Sequence, residues 1–229
     1  KHDDLNGLVH MHTTYSDGKV QLEDYAQWAY DHNIAWMGIS DHSQAAAYAG
    51  GVKPNMVKRQ WTEIDKINEK WKSKGVRLLK GIESDILKDG SLDYDEELLA
   101  GFDFVIASIH QRYGLDEDAM TKRMIKAVEN PRTNILGHIT GRLLLKREGY
   151  AIHQKDVIKA CAENNVIIEI NSTPERLELD WRLLKYAQNQ GCHICISPDA
   201  HSLGMLENVK FGIGIARKGW VTPKRLVNC

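Results

Sequence analysis

Seven times along this chain a short apolar run gives way to a polar or glycine-rich turn, and in most cases then to a stretch with hydrophobic residues every three or four positions. The apolar runs are GLVHMH (7–12), IAWMGIS (34–40), VRLLKGIES (76–84), FDFVIASIH (102–110), NILGH (134–138), VIIEIN (166–171) and CHICIS (192–197). Helical spacing marks 21–33, 54–75, 116–130, 153–165 and 180–191, with one brief helix in DYDEELLA (93–100). Asp116 and Asp180 stand where helices begin, and Gly75 and Gly191 where helices should stop. Near-continuous apolar strands alternating with helices mean parallel strands buried on both faces. Seven such units favour a barrel or distorted barrel over an open sheet. No low-complexity linker or shift in composition divides the chain, so one domain over 1–229 is expected.

Composition narrows the function classes. With 229 residues, 42% hydrophobic and 27% charged, the chain can bury a sizeable core. No apolar stretch approaches the ~20 residues that span a bilayer, and KHDDLNG lacks the apolar core of a signal peptide, so a cytoplasmic protein without membrane partners is expected. Cys161, Cys192, Cys195 and Cys229 are too few and too uneven for a disulfide framework. Strand alternation would turn Cys192 and Cys195 of CHIC to opposite faces, which favours two buried thiols over a redox pair. A net charge of −1 gives no global field for nucleic acid, so any such affinity is local.

In a parallel β/α barrel the active site gathers at the C-terminal ends of the strands. There this sequence places His10 and His12, Asp41 and His42, Glu83, His110, His138, and, just past the last strand, Asp199 and His201. Only the sixth strand, ending at Asn171, lacks an obvious ligand. Side chains at i and i+2 share a strand face, so His10 and His12 can grip one ion, and Asp199 with His201 repeats that spacing. A single histidine near a strand end is commonly a hydrogen-bonded structural residue, yet six of seven strand ends carry metal-type residues. By contrast His2, His32, His153 and His193 read as structural or surface residues, and Asp3 and Asp4 as a solvated terminus. The mixed donors suit Zn²⁺, Mn²⁺ or Fe²⁺ rather than Ca²⁺. About nine candidates, at three to four per ion, imply two or three ions with Glu83 as the bridging carboxylate.

These motifs, His10-x-His12 followed by SDG, ISDH at 39–42, the isolated Glu83, ASIH, LGH and Asp199-x-His201, resemble the PHP (polymerase and histidinol phosphatase) superfamily over nearly the whole chain. SDGKVQLEDYAQWA, ISDHSQAAAYAGGV, IESDILKDGSLDYDEELL, LGHITGRLLLKREGY and SPDAHSLGMLENVKFGIGIARKGW look most like the C-terminal PHP domain of bacterial family X DNA polymerases. The resemblance implies an α/β fold, a distorted (β/α)7 TIM-like barrel with a trinuclear site. It places one ion on His10, His12, Glu83 and Asp199, a second on Glu83, His110 and His138, and a third on Asp17, His42 and His201. It further implies metal-dependent phosphoester hydrolysis: a 3′→5′ exonuclease or DNA 3′-end processing activity, supported by Mn²⁺, in company with a polymerase module.

Arg112, Arg142 and Arg176 lie on loops at the same rim and would complete an electrostatic clamp on phosphate, against the plainer reading of solvated loop charge. Tyr48, in SQAAAYAGGVK, would form a lip that receives a base, with Lys53, Lys58 and Arg59 near the backbone; Tyr15 and Lys19 are weaker candidates. The tryptophans at 28, 61 and 71 fall at helical spacing and read as packing residues, as does Trp36 on its strand. Other readings of the chain are a small-molecule phosphatase resembling histidinol phosphatase and a non-catalytic scaffold module, which the intact ligand set disfavours. An amidohydrolase also begins with His-x-His, but its pattern lacks the terminal Asp-x-His. A further helix would be expected beyond RLVNC.

Overall fold

The computed structural model describes residues 4–229, so His2 and Asp3 lie outside the described residues. Seven parallel strands run in sequence order around one sheet: β1 (Gly7–Met11), β2 (Trp36–Ile39), β3 (Arg77–Asp85), β4 (Phe104–Ser108), β5 (Ile135–Leu136), β6 (Ile167–Asn171) and β7 (Ile194–Ser197). Around them lie α1 (Leu22–Asp31), α2 (Pro54–Trp71), α3 (Glu96–Leu99), α4 (Glu117–Val128), α5 (Gln154–Glu163), α6 (Trp181–Gln190) and α7 (Val209–Lys218). No helix among the described residues is long and apolar enough to cross a membrane.

Local chemistry sets the helix limits. The Asp116 side chain accepts from the Ala119 amide at 2.7 Å and that of Asp180 from the Arg182 amide at 3.0 Å. Gly75 and Gly191 take left-handed φ of +75° and +99° just past their helices. Along α2 the buried residues are Val57, Gln60, Ile64, Ile67 and Trp71, a stripe at three- and four-residue steps. Trp61 packs edge-on against Phe102, and Trp28 lies against the core. The sequence did not signal α7, since glycines at 212 and 214 weaken a helix. Gly212 is required by packing: a Cβ there would fall 2.0 Å from Ser172 Oγ, under the helix where it crosses β6 and β7.

Two apolar layers result. The larger fills the space between the outer strand faces and the helices; the smaller, Val9, Phe104, Ile106, Ile135 and Cys195, plugs the inside of the barrel. Trp36, Leu79 and Ile167 pack against that plug, so Trp36 is a half-buried member of it. The Phe104 ring takes the room that Gly38 and Gly81 leave, where a Cβ would come within 2.7 Å and 2.2 Å of it. All four cysteines are free. Cys195 sits inside the barrel while the Cys192 thiol lies 3.4 Å from the Ile158 carbonyl among the helices, so the two face opposite sides as alternation requires.

Closure occurs between β7 and β1. The His12 amide donates to the Ala200 carbonyl at 2.9 Å, and the Ala200 amide to the His10 carbonyl at 3.1 Å. Near the start of β1, the Asn228 side chain donates to the Gly7 carbonyl at 3.1 Å and the Ile196 carbonyl at 2.8 Å, and accepts from the Ile196 amide at 3.1 Å. The residues after Pro223 therefore close the wall, with Leu226 bridged in parallel to Ile194.

Candidate metal centre

Along the inner face of a strand, apolar or small residues give way to polar and ionisable ones: Leu79, Gly81, Glu83 on β3; Ile167, Glu169, Asn171 on β6; Cys195, Ser197, then Asp199 just past β7. On β1 the pleat is broken. His10 has φ of +68° and the register with β2 shifts between Leu8 and Met11, so Val9 and His10 both reach the interior in succession. The bulge resets which residues face inward after Val9, and from there His10 and His12 share the inner side with Met11 turned to the outer core between them. Asp199 is also left-handed, at φ +49°. Such backbone costs on the order of 1 kcal/mol or more per residue and persists where the surroundings enforce it.

The nine ligands assigned through the family motifs, Asp17 included and Asp41 not, meet at one mouth. Glu83 Oε1 lies 3.1 Å from His10 Nε2, 3.2 Å from His110 Nε2 and 2.9 Å from His138 Nε2. Its Oε2 lies 2.9 Å from His42 Nδ1 and 3.7 Å from His12 Nε2. Asp199 Oδ1 is 3.6 Å from His10 Nε2 and 3.3 Å from His12 Nε2, while Asp17 Oδ1 is 3.7 Å from His42 Nε2 and 3.3 Å from His201 Nε2. Four groups have ligand atoms close enough for an ion: His12, Asp17, His42 and His201; His10, His12 and Asp199; His10, Glu83 and His138; and His42, Glu83 and His110. Glu83 belongs to two of them. His10, His12 and His42 belong to two each as well, sharings the motif-based assignment did not contain.

The donors fit cations because they do not satisfy one another. His10 Nε2, both nitrogens of His12, His42 Nδ1 and Glu83 Oε2 are buried with no hydrogen-bond partner, although His42 and Glu83 are nearly in contact. A buried polar atom without a partner costs about 1–3 kcal/mol, so this many at one point mark a binding place. Glu83 is held well below the usual carboxylate range; burial opposes this, but His110, His10 and His42 outweigh it. Asp199 is likewise lowered against its burial, chiefly by His10 and His12. Burial works against a charged His110, yet Glu83 and Asp85 raise it to about 10. His12 falls to about 3 through burial and the nearby His42 and His201, and His138 to about 4 through burial and Arg176. His10 is raised as well: burial opposes a charge there, but Glu169, Asp199 and Glu83 outweigh it.

Beneath the ligands lies a layer the strand-end reading missed. Glu169, fully buried on β6, bonds His10 Nδ1 and accepts from the His138 amide at 2.6 Å and Ser197 Oγ at 2.5 Å. Asp85 bonds His110 Nδ1. Each fixes its ring so that Nε2 faces Glu83, as carboxylates behind metal-binding histidines do. Asn171, the end of the strand without a ligand, donates to Asp199 Oδ2 at 2.9 Å. The visible signal was one carboxylate inside the apolar run VIIEIN. Asp41, by contrast, turns away from the mouth and accepts from Thr13, Ser16 and Gln60, tying down the turn after β1.

The rim residues separate into kinds. Arg176 is mostly buried, with Nε 3.5 Å from Asp199 Oδ2. Arg142 is committed elsewhere: it donates to the main-chain carbonyls of Arg176 at 2.8 Å and Leu177, and pairs with Asp180 at 3.2 Å. Arg112 is exposed, and its guanidinium has no partner among the described residues. Tyr48 is 66% exposed with its ring 6.0 Å from His42 and 6.2 Å from His110. Lys53 lines a cleft of about 410 Å³ with Tyr15, Met56, Arg59 and Glu63, where the Tyr15 hydroxyl donates to Glu63 at 2.7 Å. Lys19 and Lys58 are exposed; His193 is exposed ahead of β7; His32 stacks on Trp28, and His153 pairs with Asp118.

Comparison with known proteins agrees with this geometry. A model of the PHP domain matches residues 9–173. The DNA polymerase/3′-5′ exonuclease PolX of Bacillus subtilis (strain 168) is 39% identical over 224 residues, 98% of this chain. A "Probable phosphatase" of Thermoanaerobacter sp. (strain X514) is 34% identical over 167 residues, 69% of this chain. The chain spans 39% of the length of the first and 66% of the second. Among solved structures, histidinol phosphate phosphatase from Lactococcus lactis subsp. lactis Il1403, complexed with zinc, L-histidinol and phosphate, superposes with a TM-score of 0.65 at 15% identity, covering 93% of each chain. That likeness extends to the nearly closed barrel with its outer helices. By its matched sequence as much as by its ring of strand-end histidines, this chain belongs to the PHP domain family.

Proposed function

We propose that the chain is a metal-dependent phosphoesterase that hydrolyses DNA phosphodiesters at 3′ ends, as a 3′→5′ exonuclease or 3′-end processing enzyme. The observation that carries this is Glu83, one buried carboxylate within 3.7 Å of five imidazoles, several of whose nitrogens lack any other partner. His10, His12, Asp17, His42, Glu83, His110, His138, Asp199 and His201 would hold three divalent ions, Mn²⁺, Zn²⁺ or Fe²⁺. Ions bound there would supply Lewis-acid charge to phosphate oxygens and make a water acidic enough to attack near neutral pH.

The chain's own groups do the rest. Glu169 and Asp85 keep His10 and His110 oriented through the cycle. Arg176, aimed at Asp199 from the rim, offers a guanidinium to a phosphate oxygen entering the mouth. Arg142 holds the loop that carries Arg176, and so acts by positioning rather than by touching substrate. Arg112, unpaired at the edge, adds charge. Tyr48 offers a ring face to a base, and Lys53 and Arg59 in the adjoining cleft offer charge to the strand's backbone.

DNA ends are favoured over small phosphomonoesters by the similarity to the Bacillus exonuclease across 98% of this chain and by an open rim bearing unpaired cations. A phosphatase acting on a small phosphomonoester is the second reading, favoured by the similarity to "Probable phosphatase" and by the fold shared with histidinol phosphate phosphatase. A polymerase module is the proposed companion that holds the DNA, and this domain alone is expected to bind DNA weakly and in a salt-sensitive way. The deciding experiment compares Mn²⁺-dependent nucleotide release from a 3′-labelled oligonucleotide with phosphate release from histidinol phosphate. Faster release from histidinol phosphate would overturn the DNA reading.

A further inference from the structure

A second cavity opens against Glu178 and Arg142. It has a volume of about 390 Å³ and is lined by Thr140, Arg142, Tyr150, Gln154, Glu178 and Asp180, among others. That volume lies within the range of sites that take small ligands. Arg176 links one of its lining residues to the metal centre: its Nη1 lies 3.9 Å from Glu178 Oε1, and its Nε 3.5 Å from Asp199.

The lining is polar and incomplete. Glu178 is fully buried; Oε2 accepts from the Thr140 amide and hydroxyl, while Oε1 has no hydrogen-bond partner. Gln154 Oε1, the Tyr150 hydroxyl and Arg176 Nη1 are also buried without hydrogen-bond partners, Arg176 Nη1 facing Glu178 Oε1 only at ion-pair distance. The other charges are already matched, since Asp180 receives Arg142 and Arg182. What stays open is two acceptors, one phenol and one guanidinium N–H. The guanidinium groups of Arg142 and Arg182 face the carboxylates of Glu178 and Asp180, so the lining carries no excess of either charge. A neutral planar group with several N–H donors and a carbonyl meets its needs.

We propose that this cavity receives the base of the terminal nucleotide. Glu178 Oε1 and Gln154 Oε1 take adjacent N–H donors while the Tyr150 hydroxyl and Arg176 Nη1 meet a neighbouring carbonyl, the edge that guanine presents. This rests on the DNA-end reading above, and it adds a base preference that the metal centre cannot supply.

The test titrates deoxyguanosine, thymidine and L-histidinol into the metal-free protein by calorimetry, and compares kcat/KM for Mn²⁺-supported trimming of oligonucleotides ending in dG and in dT. Deoxyguanosine should bind at least about tenfold more tightly than thymidine, with the same preference in kcat/KM. Tyr150→Phe and Gln154→Leu, each shown to melt as the wild type does, should bring both ratios close to unity. Equal binding of the two nucleosides, tighter binding of L-histidinol, or a ratio that survives both substitutions would overturn the proposal. If no oligonucleotide is cut while histidinol phosphate is hydrolysed, the DNA-end reading fails, and the nucleoside titration still decides the cavity.

Discussion

The carboxylate of Glu169 holds His10 by Nδ1, which leaves Nε2 of the same ring 3.1 Å from Glu83. Glu169→Gln keeps an acceptor at that place but removes the charge that makes the imidazole a strong donor to an ion. Metal affinity is expected to fall about 10- to 100-fold with the fold intact, measured by metal content after dialysis and by circular dichroism.

Removing Glu83 takes away a carboxylate belonging to two of the four ligand groups. Glu83→Ala should lower hydrolysis of either substrate by at least about 10³-fold and reduce the number of ions bound, while the barrel still folds. Full turnover by that variant would show that Glu83 is not the bridge.

Packing inside the barrel gives a prediction independent of chemistry. A Cβ on Gly81 would come 2.2 Å from the Phe104 ring and 2.6 Å from the Ile39 carbonyl. Gly81→Ala should cost about 1–3 kcal/mol in chemical denaturation, and Phe104→Leu in the same chain should recover part of it by vacating the ring's space.

Asp180 isolates a charge effect. Hydrogen bonds from Arg182 lower its carboxyl against the opposing effect of partial burial, with Arg142 contributing further. A lowered folded value means stability that is full above the unfolded pKa of about 3.9 and lost as pH falls through the folded one. Asn caps a helix as well as Asp does. Asp180→Asn should therefore melt below the wild type at pH 7, with the gap closing as melts are taken from pH 4 towards pH 2.

The strand ends were legible because barrel topology forces them together: His10, His12, His42, Glu83, His110, His138, Asp199 and His201 could be found from their place after apolar runs alone. Asp17 was assigned through the family motif rather than by position. Glu169 and Asp85 were harder to see, since a search confined to one ligand per strand end passes over carboxylates that face the same interior beside it. The bulge at His10 left no mark in GLVHMH, because its left-handed backbone is imposed by the bonds to Ala200 across the seam rather than by glycine. Helix α7 was hidden by Gly212, whose missing side chain is a packing need against Ser172 and runs opposite to helix propensity. The commitment of Arg142 to the carbonyls of Arg176 and Leu177 depends on two loops meeting, which no local pattern encodes.

The Asn228 side chain joins β1 to β7, the two strands that lead into His10, His12, Asp199 and His201. A single amide thus works as a rivet on a hoop. The seam that brings both pairs of ligands together is therefore held by side chain as well as by main chain.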